Sequence, residues 1–242
     1  MGSNRLEHEI EHGKKLREGG AEDIWNWASP AGQVRATRRA QLLVAAAKIK
    51  STDKCLEIGC GTGLFTGKIY DDTRADITAI DISEDLLEEA RTKHPQNKFI
   101  IGDAMNLDFP DNSFDVVFGS SVLHHLDMQK SMSEIYRVLK PGGRIAFAEP
   151  NMINPQIFIQ KNIPFIKKML GDSPDETAIV RWSFATMLQN IGYKEVVIYP
   201  YDFLHPIVPK PLISMVNGIG KAVEKIPILK EIAGSVVIAG QK

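Results

Sequence analysis

Hydrophobic positions along the chain fall into short runs separated by longer segments in which apolar residues recur every three or four places. Runs of strand length stand at "KCLEI" (54–58), "DITAID" (76–81), "KFIIGD" (98–103), "FDVVFGS" (114–120) and "RIAFAEP" (144–150). Runs this short and this rich in Val, Ile and Phe predict five buried strands. Between them the spacing becomes helical, with starts near Thr62, behind Ser83 ahead of "EDLLEEARTKH", and near Asp127 ahead of "MQKSMSEIYRVL". Ser and Asp mark helix beginnings because their side-chain oxygens accept the backbone N–H groups that the first turn leaves over. "KPGG" (140–143) stops the last of these helices and turns the chain into the next strand. Alternation of this kind predicts an α/β fold with a mostly parallel sheet.

The two ends read differently. Residues 5–18 and 33–48 predict two helices separated by "DIWNWASPAG", where Pro30 and Gly32 make a break. Behind the strands, "PNMINPQIFIQKNIPFIKKMLGDSPDE" carries four prolines and a helix-like stripe at Ile157, Phe158, Phe165, Ile166 and Met169, as expected of a cap or insertion. A helix over roughly 176–191 ends at Gly192, before the strand "KEVVIYP". A second Pro-punctuated apolar segment, 203–234, precedes the closing strand "SVVIAGQK". Two final strands joined by a long connection predict an antiparallel edge on the parallel sheet. The expected organisation is a single domain over 1–242: a helical extension (1–50), a core (51–150) and two insertions (151–192 and 203–234).

Composition narrows the function. With 242 residues and 43% hydrophobic content, the chain is long enough for one large domain with a substantial core. Its formal charge of -1 comes from interspersed acids and bases, so it lacks the basic footprint of a nucleic-acid partner. No run approaches about 18 apolar residues, and the polar start "MGSNRLEHEIEHGKK" does not read as a signal peptide, so a cytoplasmic protein without a transmembrane segment is expected. Cys55 and Cys60 are too few for a zinc cage or a disulfide framework, and both are expected to stay reduced.

The stretch "LEIGCGTGLFT" (56–66) carries the chemistry. Gly59, Gly61 and Gly63 form G-x-G-x-G, whereas the dinucleotide fingerprint G-x-G-x-x-G needs a glycine where this chain has Leu64. Glu57 discriminates further, because a loop built to cradle a pyrophosphate gains nothing from a neighbouring anion. A carboxylate there suits a cationic ligand. Asp81 ends the second strand, where a ribose diol meets a sheet of this kind and donates to a carboxylate. Asp103, at the end of the third strand, is placed to accept from an adenine amino group. Three acids on successive strand ends describe a nucleoside with a positively charged neighbour and no phosphate. S-adenosylmethionine, with its sulfonium and ammonium groups, has that description.

Taken together, "LEIGCGTG", "AIDIS", "GDAMNLDFPDNSFDVVFGSSVLHHL" and "EIYRVLKPGGRIAFAEP" resemble the class I S-adenosylmethionine-dependent methyltransferases, and within them the small-molecule branch, densely over 54–150. The resemblance implies a Rossmann-like seven-stranded sheet with an antiparallel last strand and helices on both faces. It also implies that Gly59, Cys60, Gly61 and Gly63 approach the methionine part of the cofactor, with Glu57 positioning it. Asp81 then binds the ribose hydroxyls, Ile82 lies against adenine, Asp103 and Ala104 face the adenine edge, and Ser120 lies at the fourth strand end beneath the cofactor. The implied reaction is direct displacement of the methyl group by a small-molecule acceptor, with S-adenosylhomocysteine as product.

Such a displacement chiefly requires the nucleophile to be held in line, about 3 to 3.5 Å from the methyl carbon. A hydroxyl acceptor also needs a general base, and His124 and His125 follow the fourth strand, His125 being the first choice. Packing and helix capping are their competing duties. Glu149, ending the fifth strand, is either a further base or a partner for nearby backbone. Trp25 or Trp27 offers an aromatic wall beside a sulfonium. Arg35, Arg38 and Arg39 read as a solvated helix face or as the source of a partner for the cofactor carboxylate, and Arg181 with Trp182 as lining for an acceptor pocket.

Both insertions mix Ile, Leu, Val, Phe and Met with spaced lysines. That pattern fits an apolar acceptor pocket under a cap, or a peripheral contact with a membrane holding a lipid-linked acceptor; core burial and a dimer interface are the bland alternatives. Two other classes share the loop. A nucleotide-dependent oxidoreductase is disfavoured by Leu64, Glu57 and the missing second dinucleotide half. A non-catalytic cofactor-binding regulator keeps the loop and the acids.

Overall fold

A computed structural model describes residues 19–169 and 176–242; the helix expected over 5–18 lies outside the described residues. A single helical turn, α1 (Ala21–Ile24), leads into α2 (Pro30–Ala47). Pro30 starts this helix instead of breaking the chain. Ser29 Oγ accepts the Gly32 N–H at 3.0 Å, and proline suits the first helical position because that position has no N–H bond to lose.

The core then alternates: β1 (Lys54–Ile58), α3 (Leu64–Thr73), β2 (Asp76–Asp81), α4 (Glu84–Lys93), β3 (Lys98–Ile101), β4 (Phe114–Ser120), α5 (Met128–Val138) and β5 (Leu139–Pro150). Ser83 and Asp127 cap as their chemistry predicts, accepting the Leu86 N–H at 3.4 Å and the Lys130 N–H at 3.0 Å. β5 departs from expectation by starting directly behind α5. Leu139 pairs with Phe114 and Arg144 with Val116, so "KPGG" is accommodated as an irregularity within the strand, with Gly142 at φ 77°.

The second part contains α6 (Pro155–Asn162), α7 (Pro164–Met169), α8 (Arg181–Ile191), β6 (Lys194–Tyr201), α9 (Ile213–Val223) and β7 (Ser235–Gln241). The helix expected from 176 begins at Arg181, because the β-branched residues ahead of it stay extended. Ile179 bridges Asn151 in parallel, and its N–H bonds the Pro150 carbonyl at 2.9 Å.

All seven strands form one sheet in the order β3-β2-β1-β4-β5-β7-β6. β7 is antiparallel to both neighbours, as expected of the last strand, but it lies between β5 and β6 and leaves β6 as the edge. On one face of the sheet Phe147 of β5 joins a core with Leu123, Ile135 of α5 and Leu188 of α8; on the other Phe118 of β4 joins one with Leu43 of α2 and Ile69 of α3. The chain leaves β1 toward β2 on one side and later returns to pair β4 on the other. A crevice opens at the carboxyl ends of strands where the order reverses in this way. No described helix is long and apolar enough to cross a membrane.

Candidate functional site

β1 runs into the glycine loop at this crevice. Gly59, Gly61 and Gly63 have φ of 65°, 53° and 80°, a left-handed region that side chains disfavour. Close contact adds to the requirement: a Cβ on Gly59 would stand 2.3 Å from Val122 Cγ2, and one on Gly61 would stand 3.0 Å from the Trp25 ring. The loop is pinned to the neighbouring strand. Cys60 N–H bonds the Ile80 carbonyl at 3.0 Å, and Gly61 N–H bonds Asp81 Oδ2 at 2.8 Å. Asp81 Oδ1 accepts the Ser83 N–H at 3.0 Å, so each carboxylate oxygen keeps room for one further donor. Burial raises the Asp81 pKa, and the backbone donors partly offset it.

Glu57 is 1% exposed. Thr66 Oγ1 donates to its Oε2 at 2.5 Å, and no ion pair reaches it among the described residues. Burial pushes this carboxyl up to about 8, against the pull of Thr66, with the Asp81 charge adding a smaller push. The Cys60 thiol is also raised by burial and stays a thiol.

The remaining cofactor candidates stand at or just behind the carboxyl ends of β2, β3 and β4. Ile82 is half-buried and Ala104 buried, while Asp103 Oδ1 accepts the Met105 N–H at 2.8 Å in a local turn. Ser120, buried at the end of β4, accepts from Arg39 Nη1 at 3.1 Å.

Residues 20–28 lie over the loop. The Trp25 ring covers Gly61, and Glu22 Oε1 accepts both Thr62 Oγ1 at 3.0 Å and Lys93 Nζ at 2.6 Å. Trp27 has a different duty: it meets Phe65 edge-on at 5.5 Å, with the Arg35 and Arg39 guanidiniums at 5.3 and 4.9 Å from its ring. The three arginines do not form a solvated face. Arg35 pairs with Asp202 at 2.8 Å, Arg38 with Glu224 at 2.7 Å, and buried Arg39 donates to Ser120, Ser121 and Ser235.

The histidines stand on a 3-10 turn, Leu123–His125, and not on a helix start. Glu149 is fully buried behind them. Its Oε1 accepts the Val122 and Leu123 N–H groups at 2.9 and 3.0 Å, and its Oε2 lies 2.7 Å from His124 Nδ1. Burial alone would raise Glu149, but His124 and the two backbone donors outweigh it and hold the carboxyl low. Burial, helped by His125, lowers the His124 pKa. An ionised Glu149 only accepts, so His124 Nδ1 carries the proton and Nε2 the lone pair. The His125 ring lies 4.2 Å from that of His124, and its Nδ1 stands 3.6 Å from Glu176 Oε1. Lys161 Nζ holds the other oxygen of Glu176 at 2.5 Å.

Sequence reasoning did not find Glu176, which follows a Pro-rich stretch and carries no local signal. Arg181 braces the fold by pairing with Glu231 at 2.9 Å, and Trp182 lies under its guanidinium at 4.5 Å. Beside the histidine turn, an open groove of about 270 Å³ is lined by Met128, Ile179, Phe184 and Met187 among others.

A methyltransferase domain family matches residues 56–147. Demethylmenaquinone methyltransferase of Paenarthrobacter aurescens is 33% identical over 163 residues, covering 63% of this chain and 62% of that protein. Malonyl-[acyl-carrier protein] O-methyltransferase of Pectobacterium atrosepticum is 34% identical over 38% of this chain and 37% of its own. The chain thus spans under two thirds of the length of these relatives. Among solved structures, a SAM-dependent methyltransferase from Archaeoglobus fulgidus superposes with a TM-score of 0.61 at 21% identity, over 85% of this chain and 93% of that one, which establishes a shared fold. With the glycine loop, the strand-end acids and this sheet order already in place, residues 56–147 carry a methyltransferase domain, and the chain shares the fold of an S-adenosylmethionine-dependent methyltransferase.

Proposed function

We propose that the protein transfers a methyl group from S-adenosylmethionine to an apolar small-molecule acceptor. The observation that carries this reading is Glu57, an enclosed carboxyl at the glycine loop with no cation bonded to it among the described residues. A buried carboxylate is costly until a cation completes it. The donor brings such a cation.

The other groups of the crevice suit the same ligand. Asp81 keeps acceptor capacity for two ribose hydroxyls beyond its bonds to Gly61 and Ser83. Ile82 offers an apolar face to adenine, with Asp103 and Ala104 at its edge, and Ser120 lies beneath. The backbone of Gly59, Cys60, Gly61 and Gly63 receives the methionine portion, under the Trp25 ring. When bound, the donor supplies an electrophilic methyl carbon for in-line attack by the acceptor. The chain's own residues enclose that carbon, exclude water and receive a proton.

For an acceptor that must lose a proton, His125 is the receiving group. Its side chain is 22% exposed, against 7% for His124, and Glu176 Oε1 stands 3.6 Å from its Nδ1. His124, locked by Glu149, is a positioning residue that fixes the neighbouring ring. The groove beside the turn is lined largely by apolar side chains, and Thr177 on its wall bonds the His124 carbonyl through its N–H at 3.1 Å. Similarity to a protein named for demethylmenaquinone supports an apolar acceptor, and similarity to a malonyl-[acyl-carrier protein] O-methyltransferase supports an oxygen nucleophile.

The test is incubation with methyl-labelled donor and a cell extract separated into lipid and aqueous fractions. Label is expected in the lipid fraction. Label confined to aqueous metabolites contradicts the acceptor class, and tight donor binding without transfer to any fraction favours a non-catalytic cofactor-binding protein.

A further inference from the structure

The helix α9 is apolar on the wrong side. Ile213 and Gly220 face the protein, where a Cβ on Gly220 would stand 3.0 Å from Phe203 Cβ. Yet Met215 and Ile219 on α9, with Leu212 just before it and Ile226 just after it, are 56%, 57%, 45% and 46% exposed. A surface helix ordinarily turns such side chains inward. The neighbouring insertion behaves in the same way, with Phe165 75% and Met169 64% exposed on α7.

Side-chain bonds hold the two insertions together. Asn154, which caps α6, donates to the Ile232 carbonyl at 2.7 Å, and Asn151 donates to the Glu231 and Ala233 carbonyls at 2.8 Å. Gln156 on α6 lies 3.4 Å from His205 Nε2. These ties join the start of α6 to residues 205 and 231–233 of the second insertion. The first insertion backs onto the histidine pair, because Lys161 of α6 and Lys167 of α7 both bond Glu176, the neighbour of His125.

Among the described residues of the two insertions, the exposed charge has one sign. Lys168, Lys210, Lys221 and Lys225 are exposed. The acids of the second insertion are turned inward: Glu224 pairs with Arg38 and Glu231 with Arg181. A symmetric dimer through this surface would set lysines against lysines, since an isologous interface meets itself. An anionic lipid headgroup layer over an apolar interior complements both features, with lysines at headgroup depth and Phe, Ile and Met side chains below.

We propose that the exposed apolar residues and lysines of the two tied insertions dock the protein on anionic membranes and open the histidine side of the site toward acceptors dissolved in the bilayer. The inference rests on the apolar acceptor proposed above and deepens it by naming where that acceptor resides.

The test is co-sedimentation of the full chain with vesicles of phosphatidylcholine alone or with about one third phosphatidylglycerol. Binding to the anionic vesicles is expected, weakened by salt. Lys221→Ala with Lys225→Ala should weaken it about 25-fold, roughly fivefold per charge removed. Met215→Asp with Ile219→Asp should abolish it. Both positions are exposed, and donor affinity measured by calorimetry on the same sample should stay unchanged, showing that the fold is intact. Absence of vesicle binding by the wild type, or equal binding to both vesicle types, overturns the docking surface. So does a stable dimer that the Asp substitutions dissociate. Failure of donor binding in the calorimeter, with vesicle binding preserved, contradicts the methyl-transfer reading instead.

Discussion

The cofactor half and the two insertions treat apolar side chains in opposite ways. Residues 19–150 leave three large apolar side chains exposed, Ile24, Val34 and Ile101, whereas the described residues of 151–192 and 203–234 leave fourteen. The first region closes its core on both faces of the sheet and turns polar groups toward the crevice. In the second, α6 and α7 have no buried residue at all. Apolar surface that folding does not bury has not contributed to stability, so its presence points to an interaction made after folding. On the proposed function, donor recognition falls to the first region and acceptor encounter to the second.

Substitutions test this division. Phe118→Ala, at a fully buried position of β4, should cost about 3 to 5 kcal/mol in a denaturant titration. A loss under about 1 kcal/mol would show that the sheet is not the stabilising core. Asp81→Ala removes acceptors for two charge-assisted bonds and should weaken donor binding by about 100-fold in calorimetry. Asp81→Asn, which keeps one oxygen, should lose less; equal affinity in both variants and the wild type removes Asp81 from the site. His125→Ala should slow turnover by about 100-fold while leaving donor affinity unchanged. An unchanged rate ends its role as proton acceptor. Phe165→Ser, on α7, should change folding stability by no more than about 0.5 kcal/mol. A loss comparable to that of Phe118→Ala would mean that the insertion surface is buried core.

The same division governs what the sequence discloses. β1, β2 and β4 were legible to the residue, because short apolar runs bounded by Gly, Asp and Ser are local signals. The glycine loop and its acids were legible for a similar reason: the φ values demanded by the turn appear directly as glycines. Long-range pairing was not. Leu139 joins β5 only because Phe114 lies beside it, and β7 enters between β5 and β6 through pairings that no local pattern encodes. Arg35 and Arg38 read as solvated until Asp202 and Glu224, 167 and 186 residues away, arrive to meet them. Glu176 stands against His125 through the fold of an insertion, so sequence separation hid the acid that completes the histidine pair. Glu149 was visible as a strand-end acid, but only its three bonds assign it to the His124 turn.

Glu57 offers the most direct test, because its protonation reports whether a cation completes the site. In the ligand-free fold its carboxyl is raised from 4.5 to about 8, so between those values the folded state holds a proton that the unfolded chain releases. Stability of the ligand-free protein from this group is therefore greatest in acid and declines as pH rises through that window. A cationic donor reverses the preference by drawing the proton off. Calorimetric titration with S-adenosylmethionine should show affinity rising by up to about tenfold per pH unit from about pH 6, levelling near pH 8, with one proton released per donor bound. Glu57→Gln should flatten that profile and raise the stability of the ligand-free protein at the alkaline end. Affinity that is independent of pH with no proton released, or a preference for NADH over S-adenosylmethionine in the same cell, would contradict the account.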